Sequence, residues 1–470
     1  MKRSASCGPW SKQLHLRRKK TAETIQAEIA REVAQFLQIL LADHRKTGVF
    51  DLEAVEMGLR SALHQAGANA LTQLLRFEAP VGERQLPCAC GHQAQYHGLR
   101  SKPVITILGR TKITRPYYLC AECHHGQFPA DRELDLDGTE LSPGVRRMLA
   151  VVGAAAPFDH GRQQMEVLAG LKVTAKAVER TAEAIGFDIA QGEQREIGRA
   201  LQLNLPIIEG KPVPILYVQM DGTGVPVVKK ETVDRKGKTD GQPAHTREVK
   251  LGCVFTQKGW DKEGYAMRDP ASTTYTGAIE NAEQFGKRLY LEAWNRGWDR
   301  AASKVVIGDG AQWIWNLADQ HFPGAIQIVD LYHAREHLWE LARRLHAHDQ
   351  AAQKAWMKIH QKRLLDKGKI EKLVASLRLI SSTNTELLDK LRTEADYFES
   401  HAERMRYPKF RKQHLFVGSG VIEAACKTVI GSRLKQSGMF WTLHGANAII
   451  ALRCCHLNNL FENYWETRAA

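Results

Sequence analysis

Three acidic residues in the second half of the chain stand where a regular element ends or turns: Asp221, Asp309 and Glu423. Asp221 follows the apolar run PILYVQM and precedes Gly-Thr-Gly, which places its carboxylate at the end of a central strand beside a flexible turn. Asp309 follows KVVIG and precedes Gly310 and the Trp-rich segment WIWNLADQHF, so a second strand is expected to deliver a carboxylate to its end. Glu423 lies behind a Gly-Ser-Gly hinge, where Val421, Ile422, Ala425, Val429 and Ile430 recur at helical spacing. Two carboxylates from adjacent strands and one from a helix suit two Mg2+ or Mn2+ ions about 3.5–4 Å apart, which activate water and stabilise the leaving oxygen of a phosphodiester. Taken singly, each acid has a plainer role. Asp221 or Asp309 would cap the following turn or helix, and Glu423 would pair with Lys427 one turn on.

A second chemistry lies upstream. Cys88 and Cys90 flank one residue, Cys120 and Cys123 flank two, and the run between the pairs alternates as half-buried strands do. Tight loops at hairpin ends present four thiolates tetrahedrally to Zn2+, so a zinc-ribbon-like module is expected. His92, His124 and His125 stand close enough to substitute as ligands, and four reduced cysteines packed without metal are the alternative. Nine cysteines in 470 residues are too few for a secreted disulfide scaffold.

The elements that must carry these groups are read as follows. Residues 1–20, with Lys2, Arg3, Lys12, Arg17, Arg18, Lys19 and Lys20, form a mobile basic arm. Residues 21–79 carry apolar residues at helical spacing and form a helical N-terminal domain; 80–135 form the cysteine module. Residues 136–200 return to helix and contain a candidate helix-turn-helix: Met165, Leu168 and Ala169 share a face, the helix breaks at Gly170 and Leu171, and Thr174 caps the next. Val173, Ala177 and Val178 would pack inward, leaving Lys176 and Arg180 to meet DNA; a plain helical hairpin is the competing reading. Residues 210–334 and 409–470 form an α/β domain with a β-β-β-α-β-α-β-α order, that of an RNase H-like core. Residues 335–408 read as a helical insertion before Glu423. The fold class is therefore multidomain α+β.

MDGTG at 220–224, GDGAQWIW at 308–315, VDLYHAREHL at 329–338 and GSGVIEAACKTVIGSRLKQSGMFW at 418–441 resemble the signature blocks of DDE transposases of bacterial insertion sequences, most like the Kra-type group. The resemblance implies that Asp221, Asp309 and Glu423 are the catalytic, metal-binding triad. It implies that Asp330 and His333 form a DxxH pair behind it, although Asp330 also suits a helix cap and His333 a packed position. The implied activity is metal-dependent DNA cleavage and strand transfer, with element ends and target DNA as partners and a homo-oligomer on DNA. Phosphate contacts would fall to Lys229, Lys230, Arg235, Lys236, Lys238, Arg247, Lys250, Lys427, Arg433 and Lys435. Trp441 would either stack on a base or pack in the core.

With 66 Lys and Arg against 52 Asp and Glu, the formal charge of +14 favours a polyanionic partner and disfavours a glycosidase reading of the paired carboxylates. A transposase-derived zinc and helix-turn-helix regulator without catalysis, and a nuclease that cuts without joining, are the rival functions. No stretch reaches a membrane span, so a cytoplasmic, nucleoid-associated location is expected.

Overall fold

In this computed structural model the described residues are 9–40, 45, 46, 49–82, 84–202, 205, 210–233, 235–237 and 244–468. Lys2, Arg3 and Lys238 of the expected basic segments lie outside them. The chain divides into two compact units, residues 1–182 with 468–470, and residues 183–467.

The first unit opens with helices α1 (Pro9–Leu40) and α2 (Leu52–Leu74). Helical backbone thus begins at Pro9, within the segment expected as a mobile arm. Asp51 starts α2 by accepting a bond from the Ala54 amide, and polar pairs, Asn69 with Glu32 at 2.6 Å and Gln73 with Glu28 at 3.1 Å, join the two helices. Ile29, Val33 and Leu37 on α1 remain exposed.

Strands β1 (Gln85–Pro87), β2 (Gln93–Thr106), β3 (Gly109–Cys120) and β4 (Gly126–Gln127) follow as an antiparallel sheet in that order. Its face buries Ala94, Tyr118, Cys88 and Cys120 at one end and Val104, Ile113 and Leu136 at the other. Arg115 is buried in it, its guanidinium donating to both carboxylate oxygens of Asp131 at 2.7 and 2.9 Å, and Lys102 adds a third contact at 3.1 Å.

Helices α3 (Pro143–Ala155), α4 (Phe158–Ala169) and α5 (Ala175–Leu201) come next. Gly170 ends α4 in the left-handed region, and Thr174 caps α5 through its hydroxyl to the Ala177 amide, as the spacing predicts. Val145, Leu149, Met165, Leu171 and Val178 close the core between them. Leu168, expected on the inward face with Met165, is instead 74% exposed.

The second unit is built on a mixed sheet. Its strands are β5 (Val213–Pro226), β6 (Thr246–Trp260), β7 (Thr274–Ala278), β8 (Ala301–Gly308) and β9 (Ile326–Val329), in spatial order β7-β6-β5-β8-β9. The first three pair antiparallel and the last two extend the sheet in parallel from β5. A short strand, Ala266–Arg268, pairs with the far end of β6. Helices α6 (Ala282–Asn295), α7 (Gln312–His321) and α8 (Leu331–Leu345) make the crossovers and the exit from β9, so the element order matches the expected one. The carboxyl-terminal parts of β8 (Val305–Gly308) and β9 (Ile328 and Val329) are buried on both faces and read as β-branched and aliphatic runs.

One expectation needs correcting. Gly222-Thr223-Gly224 is not a turn: β5 runs through it to Pro226, paired with β6 residue by residue. A Cβ on Gly222 would lie 2.6 Å from the Glu248 carboxylate, so the glycine serves close cross-strand approach.

Beyond α8, helices α9 (Gln350–Ile359), α10 (Ile370–Arg378) and α11 (Thr385–Ser400) fill the segment expected as a helical insertion. The chain returns through α12 (Gly420–Ala425), a π turn at Cys426–Gly431, and α13 (Leu443–Leu457).

Candidate functional site

The parallel register sets the geometry of the carboxylates. Gln219 of β5 lies opposite Ile307 of β8, and Gly308 lies opposite Val329 of β9. Carrying those registers onward brings Asp221, inside β5, level with Asp309 and Asp330, each the first residue past the carboxyl end of β8 and β9. Crevices at that edge of an α/β sheet are where ligands bind. Asp309 accepts a bond from the Ala311 amide at 2.9 Å, across Gly310, whose φ of 103° suits glycine and whose absent side chain leaves room for the Tyr397 ring. Tyr397, from α11, donates its hydroxyl to the Asp309 carbonyl at 3.1 Å.

Glu423 is brought to the same place by a set of bonds centred on a buried amide. Gln219 donates to the Gly418 carbonyl at 3.2 Å and accepts from the Ile422 amide at 3.0 Å. The Leu331 amide donates to the Val417 carbonyl at 2.9 Å. Ser419 donates to Asp330 and lies 2.9 Å from a Glu423 oxygen, linking the two acids. Cys426, on the π turn, sits 3.4 Å from Asp221.

The electrostatics follow. Burial pushes the Asp221 carboxyl above the usual range, and the charges of Asp309 and Glu423 add to the shift. Burial also raises Asp330, with Glu423 contributing. These oxygens are hard ligands and half-buried or exposed except in Asp330, a set that suits Mg2+ or Mn2+ in chemical type. They do not close on a point: among the described residues the four cysteines are the only group of three or more His, Cys, Asp or Glu whose ligand atoms all lie within 4.8 Å of one another.

That second centre is compact. The turn Cys88–His92 closes through the Cys88 amide to the His92 carbonyl at 2.8 Å, and the Cys120 amide bonds the His125 carbonyl at 3.1 Å. Cys88 and Cys123 sulfurs lie 3.5 Å apart, and Cys90 and Cys120 3.6 Å. The Cys90 backbone holds the Cys88 thiol down at about 7, whereas, against the His125 backbone, the neighbouring Cys90 and Cys88 sulfurs push Cys123 up to about 12, so the four thiols share their protons unevenly. The four cysteines form a cluster capable of coordinating a metal, and it fits Zn2+ in number, type and spacing. His92 stands outside it, with Nδ1 3.5 Å from the Cys90 sulfur.

The cations expected to meet DNA divide. Lys176, paired with Glu179 at 2.8 Å, and Arg180 are exposed on α5; Lys229, Lys230, Arg235, Lys236, Lys427 and Lys435 are exposed in the second unit. Arg247 is half-buried and donates to the Glu231 carbonyl. Two other cations, and Trp441, are not on the surface. Lys250 is buried opposite Gly222 and bonded to Glu248 at 2.6 Å. Arg433 is fully buried with its guanidinium 5.0 Å over the Trp441 ring. Trp441 itself is 6% exposed, donates to the Leu434 carbonyl and is held at its backbone by Pro226 and Val228, so it packs in the core instead of offering a face to a base. The neighbouring exposed aromatic is Phe440.

Comparison with known proteins adds the family. The family model described as "Uncharacterised protein family (UPF0236)" matches residues 46–466. The chain belongs to this family. A curated relative, "UPF0236 protein in vanSb 3'region" of Streptococcus gallolyticus, is 23% identical over 385 residues, covering 78% of this chain and 75% of the relative. Among solved structures, the Drosophila P element transposase strand transfer complex aligns over 72% of this chain and 84% of its own at 9% identity, with a TM-score of 0.24. The UPF0236 match spans both the cysteine centre and the carboxylate cluster.

Sequence reasoning missed Gln219, Ser419 and Tyr397, which hold the carboxylate-bearing segments. Gln219 had a signal, an amide inside the apolar run PILYVQM. Ser419 stood in the Gly-Ser-Gly hinge four residues before Glu423, but its bond to Asp330, like that of Tyr397 to Asp309, joins segments distant in the chain.

No helix among the described residues is long and apolar enough to cross a membrane.

Proposed function

We propose that this UPF0236 chain is a DNA-processing protein of transposase type. Its second unit has an RNase H-like core, and Asp221, Asp309 and Glu423 act there as a DDE triad. The observation carrying this reading is the register that sets Asp221 level with Asp309 on adjacent strands, together with the charge of Glu423 felt at Asp221. Each of the three would hold one or both of two Mg2+ or Mn2+ ions. When bound, such ions activate water and stabilise the leaving oxygen of a phosphodiester. The remaining work belongs to the chain: Asp330 and Ser419 orient Glu423, Gln219 fixes the segment that bears it, and Lys427, Lys435, Lys229 and Lys230 meet the DNA backbone. Cleavage of an element end followed by strand transfer, in the manner of Kra-type insertion sequences, is the specific activity proposed. The exposed Ile29, Val33 and Leu37 stripe supports action as a homo-oligomer on DNA.

A second reading has its own observation. A transposase-derived DNA-binding protein without catalysis needs only the zinc module and the pair α4 and α5, and the closed four-thiolate set bears on it more directly than any contact bears on strand joining. A nuclease that cuts without joining shares the triad. The experiment is incubation of duplex DNA carrying the element's ends with Mg2+ or Mn2+, comparing the wild type with Asp221→Ala, Asp309→Ala and Glu423→Ala. Cut and joined products that vanish in every variant, with binding retained, support the transposase. Cutting alone gives the nuclease, and binding without cutting under either metal gives the regulator.

A further inference from the structure

Helix α8 carries a histidine pair that the carboxylate chemistry does not use in full. His333 and His337 are spaced i,i+4, so they share one face, and their Nε2 atoms approach to 3.2 Å. Two imidazole nitrogens bound to one tetrahedral ion at about 2.0–2.1 Å would lie roughly 3.3 Å apart. The rings stand at 79° to each other with their centroids 4.9 Å apart.

The second observation is behind His337. Its Nδ1 is 2.7 Å from a carboxylate oxygen of Glu394, a residue of α11 that is 2% exposed. A carboxylate at Nδ1 keeps the proton there and turns Nε2 outward as a lone pair, the arrangement found behind metal-binding histidines. Tyr397 stacks on the His337 ring at 4.2 Å and 14°, fixing its plane. In front of the pair lies an open cavity of about 880 Å3, bordered also by Glu336, Trp339, Glu340 and Arg343.

We propose that His333 and His337 bind a divalent d-block cation of the imidazole-preferring kind, such as Zn2+, with Glu394 as the carboxylate that orients His337 and with water filling the remaining positions. The site is distinct from the cysteine centre and from the acid cluster, and it does not depend on the function proposed above. It joins two helices of the segment 331–400. Through Tyr397, whose hydroxyl bonds the Asp309 carbonyl, it braces the loop that carries Asp309. Imidazole ligands select Zn2+, Ni2+ or Cu2+ over Mg2+, so this ion would not exchange with those at the carboxylates.

The test is Co2+ titration of the full-length chain in excess Mg2+, followed by visible absorption and metal analysis after gel filtration. The expected result is two retained equivalents, one with the intense thiolate-to-cobalt band and one without. His333→Asn, on a partly exposed residue whose loss spares the core, and His337→Asn each remove the second equivalent and leave the thiolate band unchanged. Glu394→Gln weakens that equivalent about 10–100-fold, the usual cost of losing such a partner. Uptake of a single, thiolate-type equivalent by the wild type overturns the proposal. So does retention of both equivalents by the two histidine variants.

Discussion

Ser419 links two acids that would otherwise repel, and a hydroxyl between carboxylates works only if its geometry is kept. Ser419→Ala is therefore expected to leave the fold intact and lower DNA cleavage about 10–100-fold, by analogy with partners that orient metal ligands. Single-turnover cleavage rates check this, and a rate within twofold of wild type would remove Ser419 from the site. Gln219→Leu should be worse for stability than for chemistry. It strips the Ile422 amide and the Gly418 carbonyl of their partner, at about 1–3 kcal/mol, read as a lower urea midpoint. At this scale the sequence was partly legible. Asp221 and Asp309 announced themselves because each abuts Gly after an apolar run, and Glu423 because it follows a Gly-Ser-Gly hinge in a helically spaced apolar stretch. The fate of Lys250, Arg433 and Trp441 was hidden, since a buried cation and a surface cation look alike until the neighbour that covers them is known.

At the scale of elements, the hairpin between the cysteine pairs and the order of elements along the second unit followed from alternation and from the position of helices. The run through Gly222 and Gly224 did not, because these glycines admit the Glu248 and Thr246 side chains of β6 and need no turn. Chelation of the cysteine centre is expected to loosen residues 85–127 first, since thiolates crowded within 4.8 Å have little else to hold them. Hydrogen exchange after treatment with a zinc chelator should show protection lost there and kept in β5 and β8. The same sheet contains an acid-sensitive pair. Burial opposes the Asp131 charge, but Arg115 and Lys102 prevail and hold its carboxyl below the usual value. A carboxyl lowered in the folded state contributes stability that is full above the unfolded value, near pH 4, and is lost as pH falls through the folded one. Thermal midpoints measured from pH 6 to pH 2 should fall accordingly. Asp131→Ala, leaving Arg115 buried and unpaired, should cost about 3–5 kcal/mol at pH 7 and flatten that decline.

At the scale of the whole molecule, a basic chain with a metal-ligating module and an acid cluster fits a protein that grips a polyanion and works on its backbone. The exposed stripe on α1 is expected to self-associate. Ile29→Asp with Val33→Asp should reduce the mass measured by light scattering to that of one chain, whereas an unchanged mass would place assembly elsewhere. The charge balance was legible from composition, but the exposure of the apolar stripe was not, because helical spacing alone does not say what covers it. The central claim is that Asp221, Asp309 and Glu423 share divalent ions. Replacing Mg2+ with Fe2+ and generating hydroxyl radicals in place cuts the backbone beside the bound ion, with no need to know the DNA recognised. The expected fragments end near residues 221, 309 and 423 together, and disappear with excess Mg2+ or in Asp221→Ala. Cuts at only one of the three positions, or cuts that survive in Asp221→Ala, would contradict a shared centre.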